Sequence, residues 1–330
     1  MSNVAKGSRA ERLRSLTRGM RLPLIAAPMF LVSGPALVLA ACRAGISAAF
    51  PTPNARSLDI LEEWLQQVVA GHAEASQAAP GKVGPWALNL VMHSSYDRLG
   101  PELELVDRYQ PPLVITALGS PAQAIEHVHA YGGTVFADVS SLAFARKAAA
   151  AGADGLVLVS AGAGGHTGKV SPFAFVQAVR EFYDGIIVLG GSIGHGGAVR
   201  AAELLGADLA YAGTPFICAE ESLAAQEYRD MVVRASFEDL VLTKTFTGAD
   251  AWYLRESIVA AGLDPDALVG KDKMDWTNSQ GQLKAWKNIW SAGQGVDHIR
   301  AVEPTAAIVD RYAAEYAEAL RKPAFGSGAR

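Results

Sequence analysis

The sequence predicts an α/β fold in which parallel strands alternate with helices and close into a (β/α)8 barrel. Short runs of Leu, Ile, Val and Ala, typical of strands buried on both faces, recur along residues 22–218. Stretches with helical spacing of apolar residues separate them, and glycine-rich turns follow several runs. This alternation specifies a parallel sheet, and a count of about eight strands favours a closed barrel over an open doubly wound sheet. The periodicity alone leaves closure open.

The strands are predicted as short apolar runs that end at loop residues. Leu24–Ala27 comes first and runs into the loop of Pro28 and Met29, and Ile46–Phe50 follows after a glycine stop. The remaining predicted strands are Trp86–Met92, Leu113–Ala117, Val135–Val139, Leu156–Val159, Ile186–Leu189 and Asp208–Ala212. One of these runs carries a polar residue, Asn89, at a position that should be core and therefore needs a hydrogen-bond partner.

The helices are predicted from apolar spacing and from residues that begin or end helices. Residues 1–20 are a charged lead-in with a short helix, and a proline starts and Gly45 stops the first helix of the barrel. The predicted helices are Pro35–Ala44, Ser57–Ala78, Ala122–Tyr131, Ser141–Ala151, Ser171–Phe182, Ala198–Leu205 and the amphipathic Thr305–Leu320.

The strand pattern fades after the last predicted barrel strand. We divide the chain into a barrel domain (1–218), a helical insertion or lid over the barrel mouth (219–286) and a return to the barrel with a terminal helix (287–330). The insertion is rich in charge and in aromatic residues, namely Tyr228, Phe237, Trp252, Tyr253 and Trp276. We interpret these aromatics as core residues of the insertion.

Composition excludes several functional classes. Half of the 330 residues are apolar, 19% are charged and the net charge is −4, so the chain is globular and carries no nucleic-acid footprint. Cys42 and Cys218 are far apart and have no partner at metal spacing. We therefore expect neither a disulfide scaffold nor a metal site.

The N-terminal part superficially resembles an export signal. Arginines precede the apolar run 22–50, and residues 39–42 resemble a lipoprotein cleavage box. However, Pro23, Pro28 and a Ser-Gly-Pro turn interrupt the run, which fits a strand, a turn and a helix better. We expect a cytoplasmic protein without a membrane partner.

A glycine-rich loop follows the strand Leu156–Val159 and is the strongest candidate site. It contains Gly162, Gly164, Gly165 and Gly168, together with one imidazole, His166. A loop with few side chains lets a ligand approach the backbone, and α/β proteins bind ligands at the carboxyl ends of their strands. An ordinary turn with a surface histidine remains the alternative.

Two further loops suggest a phosphate site. Gly190-Gly191 and Gly213-Thr214 follow the last two strands, where barrels commonly bind phosphate through backbone N–H groups. The hydroxyl of Thr214 would add a donor. No P-loop lysine and no Gly-x-Gly-x-x-Gly motif is present, and Ser160 is not in a Gly-x-Ser-x-Gly elbow. Glycines that serve only tight turns remain the alternative here.

Taken in order, these segments resemble the nitronate monooxygenase family, whose members are flavoproteins also called 2-nitropropane dioxygenase-like. The resemblance covers about residues 22–320 and is most specific at residues 163–166, Ala-Gly-Gly-His. It also includes residues 27–29, 86–90, 189–193, 212–216 and 291–295. It implies a TIM barrel that binds FMN at the carboxyl ends of its strands, and a helical substrate domain.

The resemblance also implies roles for individual residues. The family's flavin contacts match Asn89 and Gly164, and its phosphate contacts match Gly191 and the segment Tyr211–Thr214. His166 would face the flavin and act on substrate, either as a base that removes the α-proton of a nitroalkane or as a polar contact to a nitronate. The implied cofactor-binding set is Pro28, Met29, Asn89, Gly164, Gly165, Gly190, Gly191, Tyr211, Ala212, Gly213 and Thr214.

Two departures from the family pattern leave the reaction open. Val159 stands where well-known members carry the flavin contact Gln, and Gly162 stands where they carry Glu. The leading hypothesis is an FMN-dependent monooxygenase that uses O2 to convert alkyl nitronates to carbonyl compounds and nitrite. The alternatives are an FMN-dependent reductase that passes hydride from NAD(P)H to a quinone or an enoyl thioester, and a silent flavin-binding protein. A homo-oligomer stays open.

Overall fold

Eight parallel strands close into a barrel, as predicted. The computed structural model describes residues 8–271 and 286–324. The strand order around the barrel is β1-β2-β3-β4-β5-β6-β8-β9, and β9 pairs with β1 to complete the ring. These strands are β1 Leu24–Ala26, β2 Ser47–Pro51, β3 Trp86–Val91, β4 Leu113–Ala117, β5 Thr134–Val139, β6 Gly155–Val159, β8 Ile186–Gly190 and β9 Leu209–Ala212.

Helices connect successive strands and cover the outside of the barrel. They are α2 Pro35–Arg43, α3 Leu58–Ala78, α4 Leu99–Tyr109, α5 Ala122–Ala130, α6 Leu142–Ala150, α7 Pro172–Arg180 and α8 Gly196–Leu205. The C-terminal α12, Thr305–Arg321, packs against α8 and α2 and so fills the last place in the ring. Its Tyr312 is fully buried and donates its hydroxyl to the carbonyl oxygen of Ile193, at 2.8 Å.

The sequence analysis did not predict α4. This helix begins at Leu99 without a side-chain cap, and Gly100 and Pro101 stand in its first turn. A Gly-Pro pair is typical of a turn. Proline is nevertheless tolerated in the first turn of a helix, where its missing N–H is not needed.

Alternation along the strands separates two apolar layers. Inward side chains such as Ile25, Phe136 and Leu209 form the interior of the barrel, whereas side chains one residue away pack against the helices. The N-terminal helix α1, Arg9–Leu16, closes the amino end of the barrel, because Leu16 belongs to the same interior cluster. The opposite, carboxyl end carries the loops described below.

The segment after β9 contains helices, as predicted, and also strands that were not predicted. It begins with α9 Thr214–Ile217 and α10 Gln226–Arg234 and continues with β10 Leu240–Thr243, β11 Ala251–Leu254 and α11 Arg255–Ala260. Strand β11 pairs antiparallel with β10 and with β7, Gly165–His166, which lies within the central glycine loop. The predicted aromatic Trp276 lies outside the described residues.

Over the two stretches that the structure describes, no helix combines the length and apolar character needed to cross a bilayer.

Candidate functional site

The carboxyl end of the barrel forms an open mouth. Inward positions are filled in the layers below, where Ile115, Phe136 and Val157 are fully buried. Two residues further along β4, β5 and β6, at Ala117, Asp138 and Val159, the side chains are partly exposed although they belong to strands. Because alternate residues of a strand face the same side, these positions line the mouth of the barrel.

The structure brings most of the predicted site residues to one arc of this mouth. A Cβ placed on Gly213 would lie 3.4 Å from Met29 Sδ, and one on Gly164 would lie 3.2 Å from Thr214 Oγ1. Pro28 is half-buried in the same loop as Met29, directly after β1. The loops after β6, β8, β9 and β1 therefore meet.

Asn89 lies apart from that arc. It is on β3, across the barrel from β8, and its side-chain amide donates to the carbonyl oxygen of Ile115 at 3.0 Å. This buried polar side chain thus has the hydrogen-bond partner that its core position requires.

His166 is held by the insertion. Its Nε2 lies 2.9 Å from the hydroxyl oxygen of Thr247, a fully buried residue on the turn between β10 and β11. The ring also makes an edge-to-face contact with Trp286, with 5.5 Å between centroids. The backbone of His166 pairs with Ala251 of β11, so strand pairing and side-chain contacts fix the same residue.

Burial lowers the pKa of His166 to about 4. Desolvation is the cause, because it disfavours the charged imidazolium. The side chain is therefore a neutral imidazole at neutral pH. Such a group can donate or accept a hydrogen bond but is a weak base.

The loop glycines mainly allow close approach between segments of the chain. A Cβ on Gly164 would lie 2.7 Å from the backbone nitrogen of Gly293, and one on Gly191, where φ is +119°, would lie 2.3 Å from Ser160 Oγ. Close packing of the chain itself thus explains these glycines. In the central loop, a Cβ on Gly165 would meet the Trp286 ring, and Gly164 is exposed. Ligand contact by this loop stays a prediction.

The 291–295 segment fills the space beside Gly162. The carbonyl oxygen of Gly162 accepts hydrogen bonds from the backbone nitrogens of Ser192 and Gln294. A Cβ at this position, where φ is +87°, would lie 2.7 Å from Gln294 Oε1. Ser192 Oγ would lie closer still, at 2.2 Å, so the side chains of Ser192 and Gln294 occupy the place that a longer residue at position 162 would need.

The loops after β8 and β9 contain backbone donors that could hold an anionic group. Within the part of the chain that the structure describes, the N–H groups of Gly213 and Thr214, which follow β9, make no hydrogen bond to another loop. The hydroxyl oxygen of Thr214 accepts from the Gly293 N–H at 2.8 Å, which leaves its own proton free to donate. Ala212 contributes no side chain, because its methyl group packs outward against the helices.

Sequence reasoning did not predict the positions of two polar residues in the mouth, Tyr211 and Asp138. Tyr211 was expected near a phosphate, yet its ring packs against the interior of the barrel and lies over Gly190. Asp138 was not singled out at all, although a charged residue in an apolar strand is the same signal that drew attention to Asn89. Thr247 could not have been found, since it lies 81 residues from His166 in the sequence.

Among the residues placed by the structure, no group of three or more His, Cys, Asp and Glu side chains is arranged to hold a metal. Both cysteines are buried and free.

Comparisons with known proteins agree with this arrangement. The family described as nitronate monooxygenase matches residues 14–262. A nitronate monooxygenase from Paraburkholderia phytofirmans is 26% identical over 75% of this chain and 77% of its own length. Rv1533 of Mycobacterium tuberculosis, which is provisionally described as a monooxygenase, is 31% identical over 50% of this chain, and the match spans only 44% of that relative.

The fold is also found among solved structures. The structure of a nitroalkane oxidase from Streptomyces ansochromogenes superposes with a TM-score of 0.73 and covers 94% of this chain and 99% of its own. At 22% identity this likeness establishes the barrel and its insertion as a shared fold.

Proposed function

The chain belongs to the nitronate monooxygenase family, and from this premise we propose that it is an FMN-dependent oxidoreductase acting on alkyl nitronates. In the proposed reaction a nitronate is oxidised with O2 to a carbonyl compound and nitrite. The observation that carries the proposal is the neutral His166 imidazole, held by Thr247 in the loop beside the barrel mouth.

The residues at the mouth fit FMN in shape and in donor chemistry. Inward residues of the upper layer are partly exposed where the layers below are filled, and a planar ring would lie over this layer. The N–H groups of Gly213 and Thr214 are the kind of donors that bind a phosphate. Asn89 and the Gly164 loop would hold the ring. When bound, FMN supplies the electron transfer between substrate and oxygen.

His166 is better suited to contact a nitronate than to deprotonate a nitroalkane. A general base works best when its pKa lies near the working pH, and the pKa of this imidazole is about 4. A nitronate has already lost its proton and needs a hydrogen-bond donor for its negative oxygens. We propose that Nδ1–H supplies this donor.

Thr247 supports that tautomer. The Thr247 hydroxyl has two acceptors in reach, the Ala249 carbonyl oxygen at 3.5 Å and His166 Nε2 at 2.9 Å. We propose that it donates to the nearer Nε2, which leaves the ring proton on Nδ1. For Nδ1, no hydrogen-bond partner is found within residues 8–271 and 286–324, so this atom is available to substrate. Thr247 is thus a positioning residue for His166.

The alkyl part of the substrate has an apolar place nearby. A cavity of about 170 Å³ lies beside Trp286, the residue in edge contact with His166. Its walls are mainly apolar and include Val32 and Trp290, together with one charged residue, Lys287. An apolar lining favours an alkyl group, whose burial is stabilised by the hydrophobic effect.

The test is to purify the protein, reconstitute it with FMN and follow nitrite release and O2 consumption with an alkyl nitronate. We expect a yellow protein that turns over the nitronate faster than the parent nitroalkane. His166→Ala should bind FMN normally and lose most turnover. Failure to bind FMN, or full turnover by His166→Ala, would contradict the proposal.

NADH added without oxygen separates this function from the reductase alternative. We expect NADH alone to leave the visible flavin absorbance unchanged. Rapid loss of that absorbance would instead assign the protein to NAD(P)H-dependent reduction of a quinone or an enoyl thioester.

A further inference from the structure

Two polar atoms in the barrel mouth lack partners. Oδ1 of Asp138 on β5 and the hydroxyl oxygen of Tyr211 on β9 are shielded from solvent and make no hydrogen bond to any described residue. Buried polar groups in proteins are almost always hydrogen-bonded, because leaving one unpaired costs free energy. Contacts within the described part of the chain therefore do not explain why these two atoms are buried.

The strand pattern places both side chains toward the space inside the mouth. Asp138 comes two residues after Phe136, and Tyr211 comes two residues after Leu209. Phe136 and Leu209 both belong to the interior cluster, so the two polar side chains face inward, one layer nearer the carboxyl end.

The backbone leaves room for the Tyr211 ring to reach into the barrel. A Cβ on Gly190 would lie 3.3 Å from Cδ1 of Tyr211, so the ring lies over the bare face of this glycine. Strands β5 and β9 belong to the same barrel. Burial, and after it the negative charge of Asp138, raise the pKa of the Tyr211 phenol. The carboxyl and the phenol therefore face the same space.

Both groups can donate as well as accept hydrogen bonds. Burial raises the pKa of Asp138 to about 7, so a large fraction keeps its proton near neutral pH. The phenol of Tyr211 stays protonated. The pyrimidine edge of a flavin alternates carbonyl acceptors with an N–H donor, which matches such a pair.

We propose that the Asp138 carboxyl and the Tyr211 hydroxyl form a polar floor of the barrel mouth that hydrogen-bonds the ring of bound FMN. This inference rests on the proposed function, since it assumes that FMN is the cofactor. It assigns Asp138 as a cofactor-binding residue and gives Tyr211 a contact to the ring, where the family pattern implied the phosphate.

The proposal predicts opposite effects on stability and on FMN binding. Without cofactor, an unpaired carboxyl destabilises the fold, so Asp138→Leu should raise the Tm of the apo-protein. The same substitution should weaken FMN binding about 10-fold, because it removes a hydrogen bond to the ring. Tyr211→Phe should also weaken FMN binding, whereas Asp138→Asn, which keeps a donor and an acceptor, should stay within about 3-fold of wild type.

A second buried carboxyl provides the matched control. Asp154 is 5% exposed and directly precedes β6. Its Oδ2 lies 2.7 Å from His129 Nε2 and accepts from the Val135 N–H at 3.0 Å. Asp154→Leu should lower Tm and leave the FMN affinity of the folded protein unchanged.

The experiment is a titration of each apo-protein with FMN, followed by quenching of flavin fluorescence, together with a thermal scan. Riboflavin, which lacks the phosphate, is a second probe and should show the same fold-loss with Asp138→Leu, because the contact is to the ring. If wild type binds FMN and Asp138→Leu binds it equally well, the inference is wrong while the proposed function stands.

A drop in both Tm and FMN affinity for Asp138→Leu would likewise overturn the inference. It would show that the Asp138 carboxyl stabilises the fold and affects FMN binding only through the fold. If wild type binds neither FMN nor riboflavin, the proposed function fails and the inference fails with it.

Discussion

At the residue scale, the chemistry depends on how the protein sets the state of single side chains. His166 is neutral because it is buried, and Thr247 orients it by one hydrogen bond. Neither property is visible in the motif Gly-Gly-His. The motif drew attention to His166, but the basicity of its imidazole follows from the surrounding side chains.

The pKa of His166 predicts how the free energy of unfolding changes with pH. The pKa is about 4 in the folded protein and about 6.5 when unfolded, so between these values only the unfolded chain binds the extra proton. Stability that is present above pH 6.5 is therefore lost as the pH falls toward 4. His166→Gln removes this titration, so its unfolding free energy should fall less between pH 7.5 and pH 5 in urea titrations. Equal losses in both proteins would contradict the assigned pKa.

Thr247 is expected to act on turnover through His166. Thr247→Val has nearly the same shape but has no hydroxyl, so we expect kcat/KM for the nitronate to fall about 10-fold, the cost of one hydrogen bond. Thr247→Ser should restore most of it. The FMN affinity should be unchanged in both variants, and a loss of affinity in Thr247→Val would indicate a structural role instead.

At the element scale, the loops at the carboxyl end of the barrel pack by close backbone contact. The clearest case is Gly164 against Gly293. This contact places the 291–295 segment so that the Gly293 N–H reaches the Thr214 hydroxyl. The late segment thus helps to shape the loop that follows β9.

Gly164→Ala tests this packing. The new methyl group would lie 2.7 Å from the backbone nitrogen of Gly293, which cannot move as easily as a side chain. We expect a loss of about 1–3 kcal/mol in unfolding free energy, measured with denaturant, and weaker FMN binding. Gly100→Ala in the first turn of α4 is the control. It meets nothing within 4 Å and should be neutral or stabilising.

Elements with strong local patterns could be predicted from the sequence, and those that depend on distant partners could not. The strand Leu113–Ala117 was predicted with the bounds it has in the structure, because five successive apolar or β-branched residues are typical of a buried strand. Strand β7 spans only Gly165 and His166 and exists because β11 pairs with it. Nothing local to two residues signals such pairing.

At the scale of the whole molecule, the contacts that close the amino end of the barrel lie far from the candidate site at its carboxyl end. The amino end is closed by α1, where Leu16 enters the interior cluster and Arg9 contacts Asp208. The mouth lies at the other end, several residue layers away. The fold class could be predicted because strands and helices alternate along the chain. Closure of the barrel was indicated only by the number of strands, since their apolar pattern is the same in an open sheet.

Leu16→Ala tests this separation. Leu16 is 7% exposed, so its truncation leaves a cavity and should cost about 2–4 kcal/mol in denaturant unfolding. FMN affinity at low temperature, where the protein stays folded, should not change. Leu204→Ala on the outside of α8, where Leu204 is 72% exposed, should change neither quantity. Weaker FMN binding by Leu16→Ala would show that the two ends are coupled.

The antiparallel pairing of β7 with β11 has a consequence for engineering this scaffold. A chimaera that receives residues 240–254 from a relative would also receive a foreign residue at position 247 and a foreign edge beside His166. Grafting this hairpin to alter substrate preference would thus alter the histidine's orientation as well. The identity of this hairpin and the orientation of His166 therefore change together.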